Sequence, residues 1–311
     1  MSVPRSMKAA VLHGWNDVRL EEVPVPTPGP GEVLCRVRAC AICSTDHRLI
    51  GGRAARTFKG TFPHIPGHEW AGEVVAVTDG AEGFAAGDRV VGQVTKGCGR
   101  CPACKRGSYQ LCVHSGQLEK GYRMHGFNLP GAFAGYVAYL PEMLTRLPDH
   151  VSFEEGALAS VYSQALHGVE LGACRAGETA AVIGPGAIGL LVLQTVKLRG
   201  AARVFVTGRG PRLGMARELG ADAAVDIARE DPVAALRELT DGQGAEVVFE
   251  CAGKPEAIDA AVRAAKKGGR VVLIGVTGRR EGIPVDTDHL VLNQISLLGM
   301  RGSPNLMAGA V

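Results

Sequence analysis

Cys98, Cys101, Cys104 and Cys112 form a C-x2-C-x2-C-x7-C run with Gly97 and Gly99 beside them. That spacing lets four thiolates converge tetrahedrally on one zinc ion with no coordination position left open. The chemistry it predicts is structural, because such a metal stabilises a loop excursion that has little apolar core of its own. The chain has nine cysteines, an odd number, and four of them lie within fifteen residues, which suits a metal better than a disulfide framework. A second signal is Gly184-Pro185-Gly186-Ala187-Ile188-Gly189. It follows an apolar run and opens an amphipathic one, so its glycines can let a pyrophosphate approach the backbone amides at a helix N-terminus. A third is the pair of segments Cys43-Ser44-Thr45-Asp46 and Pro66-Gly67-His68-Glu69, which bring a thiolate, an imidazole and a carboxylate into one half of the chain. Taken singly these are weak signals, since a lone His on a turn or a lone Cys is more often structural.

The residues about twenty positions beyond the glycine motif choose the ribose. An acid there accepts hydrogen bonds from both hydroxyls, whereas Gly with a nearby Arg admits a 2′-phosphate. Here they are Gly208, Arg209 and Arg212. Both arginines could be solvated and Gly208 could simply turn the chain, but the phosphate reading is preferred, so NADP is expected over NAD.

These residues need elements to hold them, and the chain supplies two kinds. At 311 residues, 46% hydrophobic and 21% charged, it can bury more than one core. The net charge of +3, without a run of like charges, argues against a nucleic-acid or membrane arm and favours a small-molecule partner. No stretch reaches transmembrane length and Met1 to Ala10 lacks a signal-peptide core, so a cytoplasmic protein is expected. Residues 7 to 150 alternate β-branched runs with Gly and Pro turns: Val33 to Val37, Gly72 to Val77, Asp88 to Gly92 and Gly135 to Tyr139. This predicts a β-rich, barrel-like domain. From about Val151 the pattern changes to strand, turn and helix repeats, the mark of a doubly wound parallel sheet. Six strands are expected, at 179–183, 203–206, 223–226, 247–250, 270–274 and 296–302, with crossover helices at 188–199, 211–219, 232–239 and 255–265.

The motifs together resemble the zinc-dependent alcohol dehydrogenases of the medium-chain dehydrogenase/reductase superfamily, in particular the sorbitol, threonine and secondary-alcohol dehydrogenase branch. The resemblance runs from Lys8 to about Asn305. It rests on Pro28 to Val33, Cys43 to Asp46, Pro66 to Gly72, Gly87 to Val90, the four-cysteine lobe, Gly131 to Val137, Leu147 to Asp149 and the glycine motif. It implies an α/β protein: a GroES-like β-barrel catalytic domain over 1–150 with its zinc lobe at about 95–115, a Rossmann domain over 151–303, and at 304–311 the start of a return to the catalytic domain. It implies a catalytic zinc held by Cys43 and His68 with Glu69 beside or among the ligands, Thr45 passing the substrate proton, and Asp46 orienting His68. Such a zinc would lower the pKa of an alcohol, whose alkoxide then gives a hydride to the nicotinamide. Further candidate cofactor residues are Cys251, Ile274, Gly275 and Val276. A homodimer or homotetramer is implied, with the last strand pairing across a two-fold axis.

The sequence departs from the family in four places. Ser160 stands where relatives often supply an acidic ligand and Ser163 where others supply a Cys, so Glu69 is expected to complete the shell. His47 is four residues after the ligand Cys and Arg48 five, where many relatives have a relay His, which leaves His47 open between relay and surface residue. Thr78 replaces a Gly, which should alter only a turn. The chain stops at Val311, where relatives continue for several tens of residues. The expected activity is hydride transfer between a secondary alcohol, polyol or sugar-derived, and NAD(P). The alternatives are an L-threonine 3-dehydrogenase or simple alcohol dehydrogenase, and a non-catalytic dinucleotide-binding remnant keeping only the structural zinc.

Overall fold

Strands β1 (Ser6–Gly14) and β2 (Asp17–Pro24) make an antiparallel hairpin, turned by Asn16 at a φ of 61°, a conformation that asparagine tolerates better than most residues. There follow β3 (Val33–Ala41), α1 (Ser44–Ile50), β4 (Glu69–Val77), β5 (Arg89–Gly92), β6 (Thr95–Lys96), α2 (Pro102–Lys105), β7 (Arg123–Met124), β8 (Tyr136–Tyr139), β9 (Leu144–Arg146) and α3 (Phe153–Ala157). The structure, a computed structural model, describes residues 3–53, 61–278 and 281–311, so Met1 and Ser2 of the N-terminal stretch lie outside the described residues.

By its internal contacts the chain divides into two units, Met1–Ser163 with Ser303–Val311, and Gln164–Gly302. The division falls within α4 (Ala159–Leu171), later than the change of sequence pattern near Val151. The reason is that the first turns after the change still belong to the β-rich unit. Ser152 and Glu155 form a capping box that starts α3, and Phe153 lies under the Arg89 guanidinium, 4.5 Å from its ring centre. Arg89 also donates to the carbonyls of Pro148 and Val151 at 2.7 and 2.6 Å.

In the first unit five strands are ordered β8-β3-β4-β5-β9, each antiparallel to its neighbour. Their inward residues, among them Val33, Cys35, Trp70, Val74, Val90 and Tyr139, form one core. Thr78, just after β4, donates its hydroxyl to the carbonyls of Gly29 and Glu32 at 3.0 and 2.7 Å, so it pins the turn that precedes β3. The last residues also pack on this unit. Met307 is buried with Ala71, Val91, Leu147 and Ala159, and the backbone N–H of Asn305 donates to the Tyr109 hydroxyl at 3.0 Å.

The second unit contains β10 (Thr179–Ile183), α5 (Ala187–Leu198), β11 (Arg203–Gly208), α6 (Arg212–Glu218), β12 (Ala223–Asp226), α7 (Pro232–Glu238), β13 (Ala245–Glu250), α8 (Pro255–Ala264), β14 (Ala265–Leu273), α9 (Thr287–Leu292) and β15 (Ser296–Gly299). All six strands run parallel in the order β12-β11-β10-β13-β14-β15. The order reverses direction between β10 and β13, the switch point where open α/β sheets bind ligands. β10 is buried along its whole length, as a strand covered on both faces must be.

Two expected strand limits differ by more than two residues, while β11 runs on to Gly208 and β13 starts already at Ala245. β14 starts at Ala265 and not at Arg270, because Lys266 reaches Glu246 across the sheet at 2.7 Å and a register shift absorbs the glycines that read as a turn. β15 ends at Gly299, where its pairing with Leu273, the last residue of β14, also ends, and not at Gly302. Among the described residues no helix is long and apolar enough to cross a membrane.

Candidate metal centres and cofactor site

The four cysteines lie on the excursion between β6 and β7. Pro102 starts α2 right after Cys101, which turns Cys104 back toward the strand. Their Sγ atoms all lie within 4.8 Å of one another, with Cys98 to Cys104 and Cys101 to Cys112 each at 4.0 Å. Tetrahedral zinc with Zn–S of about 2.3 Å sets sulfur pairs about 3.8 Å apart, so the quartet fits that ion. None of the nine cysteines is in a disulfide. The Cys101 thiol is pushed down to about 6, first by the backbone amide of Cys104 and then by that of Val113. Cys104 is pushed up to about 12, first by burial and then by the neighbouring thiols. Four crowded thiolates repel, and only a cation among them lets all four ionise.

The second cluster joins two elements. Cys43 precedes α1, and His68 and Glu69 enter β4. Gly67 has a φ of 92°, and a Cβ there would stand 2.6 Å from the Phe133 nitrogen, so no other residue fits this turn. The crossing segment holds the turn through Gly131 N to Ile65 O at 2.7 Å, Ala132 N to Gly67 O at 2.9 Å and Phe133 N to Pro66 O at 2.9 Å. One ligand atom each from Cys43, His68 and Glu69 falls within 4.8 Å of the others, with both His68 and Glu69 buried. His68 Nδ1 faces Asp46 Oδ1 at 3.2 Å, and Nε2 is 3.9 Å from Glu69 Oε1. Burial works against a charged His68, but Asp46 and Cys43 outweigh it and push its pKa up to about 10. Burial raises the pKa of Glu69, against the pull of His68 and Cys43. A buried site with these donors and this field suits a dication.

Thr45 lies 3.4 Å from Cys43, Oγ1 to Sγ. His47 is exposed, and its Nε2 meets Arg53 Nη2 at 3.2 Å. Ser160 and Ser163 are both buried, and the Ser163 hydroxyl is engaged with the Ser160 carbonyl and with Ser303 Oγ, each at 2.7 Å. Phe127 is a residue that sequence reasoning missed. Its ring lies 5.1 Å from that of His68, and nothing in the local sequence announces the contact.

In the second unit Gly184, at a φ of 99°, lies so close to Ala252 that a Cβ would stand 2.9 Å from that side chain. A Cβ on Gly189 would stand 2.0 Å from Gly184 O, so this glycine serves close helix–strand packing. Gly186 caps α5 and has open space where a Cβ would project, with no side chain bonding the first amides. That cradle fits a pyrophosphate. Pro185 explains Gly208, since a Cβ there would stand 2.2 Å from the proline ring. Arg209 and Arg212 are exposed and, among the described residues, neither has an acidic partner. Ile183 O accepts from Cys251 N at 2.8 Å, and Gly275 N donates to Glu250 O at 3.0 Å. Ile274 is buried while Val276 is exposed. Glu250 is the second residue missed, although a single acid ending the apolar run Val247-Val248-Phe249 was a visible signal.

Residues 29–149 match the alcohol dehydrogenase GroES-like domain and residues 187–308 the zinc-binding dehydrogenase domain. The chain belongs to the zinc-dependent alcohol dehydrogenases of the medium-chain superfamily. It is 34% identical to sorbitol dehydrogenase of Bacillus subtilis, over 96% of this chain and 83% of that one. It is 36% identical to the erythritol/L-threitol dehydrogenase of Mycolicibacterium smegmatis, over 89% and 78% of the two chains. A zinc-binding dehydrogenase from Sinorhizobium meliloti, solved with NADP bound, superposes with a TM-score of 0.91 at 34% identity, covering 98% of this chain and 87% of that one. As a member of this family the protein is a GroES-like plus Rossmann oxidoreductase that uses zinc and a nicotinamide nucleotide.

Proposed function

We propose that the enzyme interconverts a secondary alcohol, a polyol or a sugar-derived one, with its ketone, using NADP in preference to NAD and two zinc ions per chain. The observation that carries this reading is the convergence of Cys43, His68 and Glu69 on one buried point with the Thr45 hydroxyl beside it. The polyol class is supported by likeness to sorbitol and erythritol/L-threitol dehydrogenases. When bound, zinc supplies Lewis acidity at the substrate oxygen and the nucleotide supplies a hydride acceptor.

The chain's own residues do the rest. Cys43, His68 and Glu69 hold the catalytic ion, and Cys98, Cys101, Cys104 and Cys112 hold the structural one. Thr45 Oγ1, both donor and acceptor, accepts the alcohol proton and passes one on toward solvent. Asp46 keeps the His68 ring in orientation. His47 is not assigned this relay, because its ring already accepts from Arg53. Gly184 to Gly189 bind the pyrophosphate, Arg209 and Arg212 the 2′-phosphate, and Cys251 with Ile274 to Val276 line the nicotinamide end. Among the described residues β15 is the last strand of its sheet, which suits pairing with a second copy in a homodimer or homotetramer, and we place the enzyme in the cytoplasm.

Elemental analysis together with a substrate panel tests the reading. Two zincs per chain, one removed by mild chelation, and NADP-dependent oxidation of sorbitol, threitol or erythritol are expected. A single tightly held zinc, or turnover of L-threonine or ethanol ahead of every polyol, would overturn it.

A further inference from the structure

We propose that Glu250 is a positioning residue for the dinucleotide, its buried carboxylate fixing the backbone turn after β13, which lies against the glycine motif that follows β10 and against the chain leaving β14, where the cofactor binds. This rests on the cofactor reading above. Glu250 is fully buried and is the last residue of β13. Its Oε1 accepts the backbone N–H groups of both Ala252 and Gly253, each at 2.8 Å. Its carbonyl accepts those of Ile274 and Gly275 at 2.9 and 3.0 Å. One residue thus ties the turn after β13 to the chain leaving β14.

The link extends to the glycine motif, since Ala252 is the residue that Gly184 lies against and the Cys251 N–H bonds Ile183, the last residue of β10. Gly253 in turn lies against Val276, whose backbone would stand 2.8–3.0 Å from a Cβ at that position. Three strand ends therefore meet at the turn that this carboxylate caps. An uncharged side chain could cap such a turn with less desolvation. The second oxygen, Oε2, has no hydrogen-bond partner among the described residues and lies 2.7 Å from where a Cβ on Gly275 would stand. A buried carboxyl left half-satisfied is costly, and here it sits beside the sheet's switch point, where the shape of the backbone matters for a ligand. Burial also raises its pKa, in keeping with that cost.

The test is a fluorescence titration of the full chain with NADPH and NADH, comparing wild type, Glu250→Gln and Glu250→Met, each checked for folding and zinc content. Methionine fills the volume without an acceptor, and glutamine keeps one. Glu250→Met is expected to raise the Kd about tenfold or more and Glu250→Gln to leave it within about threefold. Methionine binding as tightly as wild type, or glutamine weakening binding as far as methionine, would overturn the proposal. Failure of the wild type to bind either nucleotide would overturn the cofactor reading and this inference with it. Should Glu250→Met not fold, amide hydrogen exchange of the cofactor-free wild type decides. Protected Ala252 and Gly253 amides are expected, and exchange at open-loop rates overturns the clamp.

Discussion

Asp46 touches two of the three zinc-binding candidates at once: Oδ1 stands 3.2 Å from His68 Nδ1, and Oδ2 accepts the backbone N–H of Cys43 at 2.9 Å. The carboxylate is wholly buried, so it acts where water screens little. One carboxylate thus anchors the start of α1 and faces the imidazole. Asp46→Asn keeps the size and loses the charge, and zinc affinity at this site is expected to fall about 10- to 100-fold. Zinc counted after graded chelation checks it, with the four-cysteine ion as internal standard.

That internal standard has its own test. Cys98→Ser leaves three thiolates and is expected to lower the zinc content from two per chain to one, with new proteolytic cleavage between Gly97 and Tyr122. Retention of both ions with an uncut lobe would show that three sulfurs suffice.

The proposed preference for NADP rests on two exposed guanidinium groups, Arg209 and Arg212. Arg209→Ala is expected to raise the Kd for NADPH about tenfold or more, the scale of a lost charge-assisted hydrogen bond, while NADH binding stays within about twofold. Equal weakening of both nucleotides would place Arg209 away from the 2′-phosphate.

The glycines of the motif should separate stability from binding. Gly186→Ala meets nothing within 4 Å, so the melting temperature is expected to hold while nucleotide binding weakens. Gly189→Ala drives a methyl onto Gly184 O and is expected to cost about 1–3 kcal/mol of stability. Thermal unfolding with and without NADPH distinguishes the two.

A pH dependence follows from Glu246. Burial raises its pKa, but Lys266 at 2.7 Å and the Thr179 N–H at 2.9 Å outweigh that and hold it below its ordinary 4.5. A carboxylate depressed in the folded state contributes stability that is present above its unfolded value and is lost as pH falls through the folded one. The destabilisation caused by Glu246→Gln is therefore expected to be full at pH 7 and to shrink steadily below about pH 4.5. Urea unfolding at several pH values measures it, and a gap that widens in acid would reverse the assignment.

Much of the second unit was legible because parallel strands covered on both faces read as plain apolar runs. Val204 to Val206 and Val247 to Phe249 are such runs, each punctuated by glycine. β14 began earlier than expected because its first residues are held by an ion pair with Glu246, a partner no local pattern contains. The hairpin β1–β2 and helix α1 went unremarked, the helix because its residues Ser44 to Arg48 are polar and its start is set by Asp46. Donor types at the metal site could be read from the sequence, but their convergence could not. Phe127 meets His68 only because the segment after β7 crosses the Gly67 turn, and that crossing is a tertiary fact.

The crossing gives the four-cysteine lobe a mechanical reach beyond its own fold. β7 closes the excursion at Met124, and three residues later Phe127 is against His68, while Gly131 to Phe133 hold the turn that carries it. Opening the lobe by a Cys98→Ser change would thereby slacken the support of His68 while leaving Cys43, His68 and Glu69 themselves unaltered. Activity in that variant should then fall further than its content of the labile, proposed catalytic ion does, so that a lobe with no part in the chemistry sets how firmly the chemistry is held.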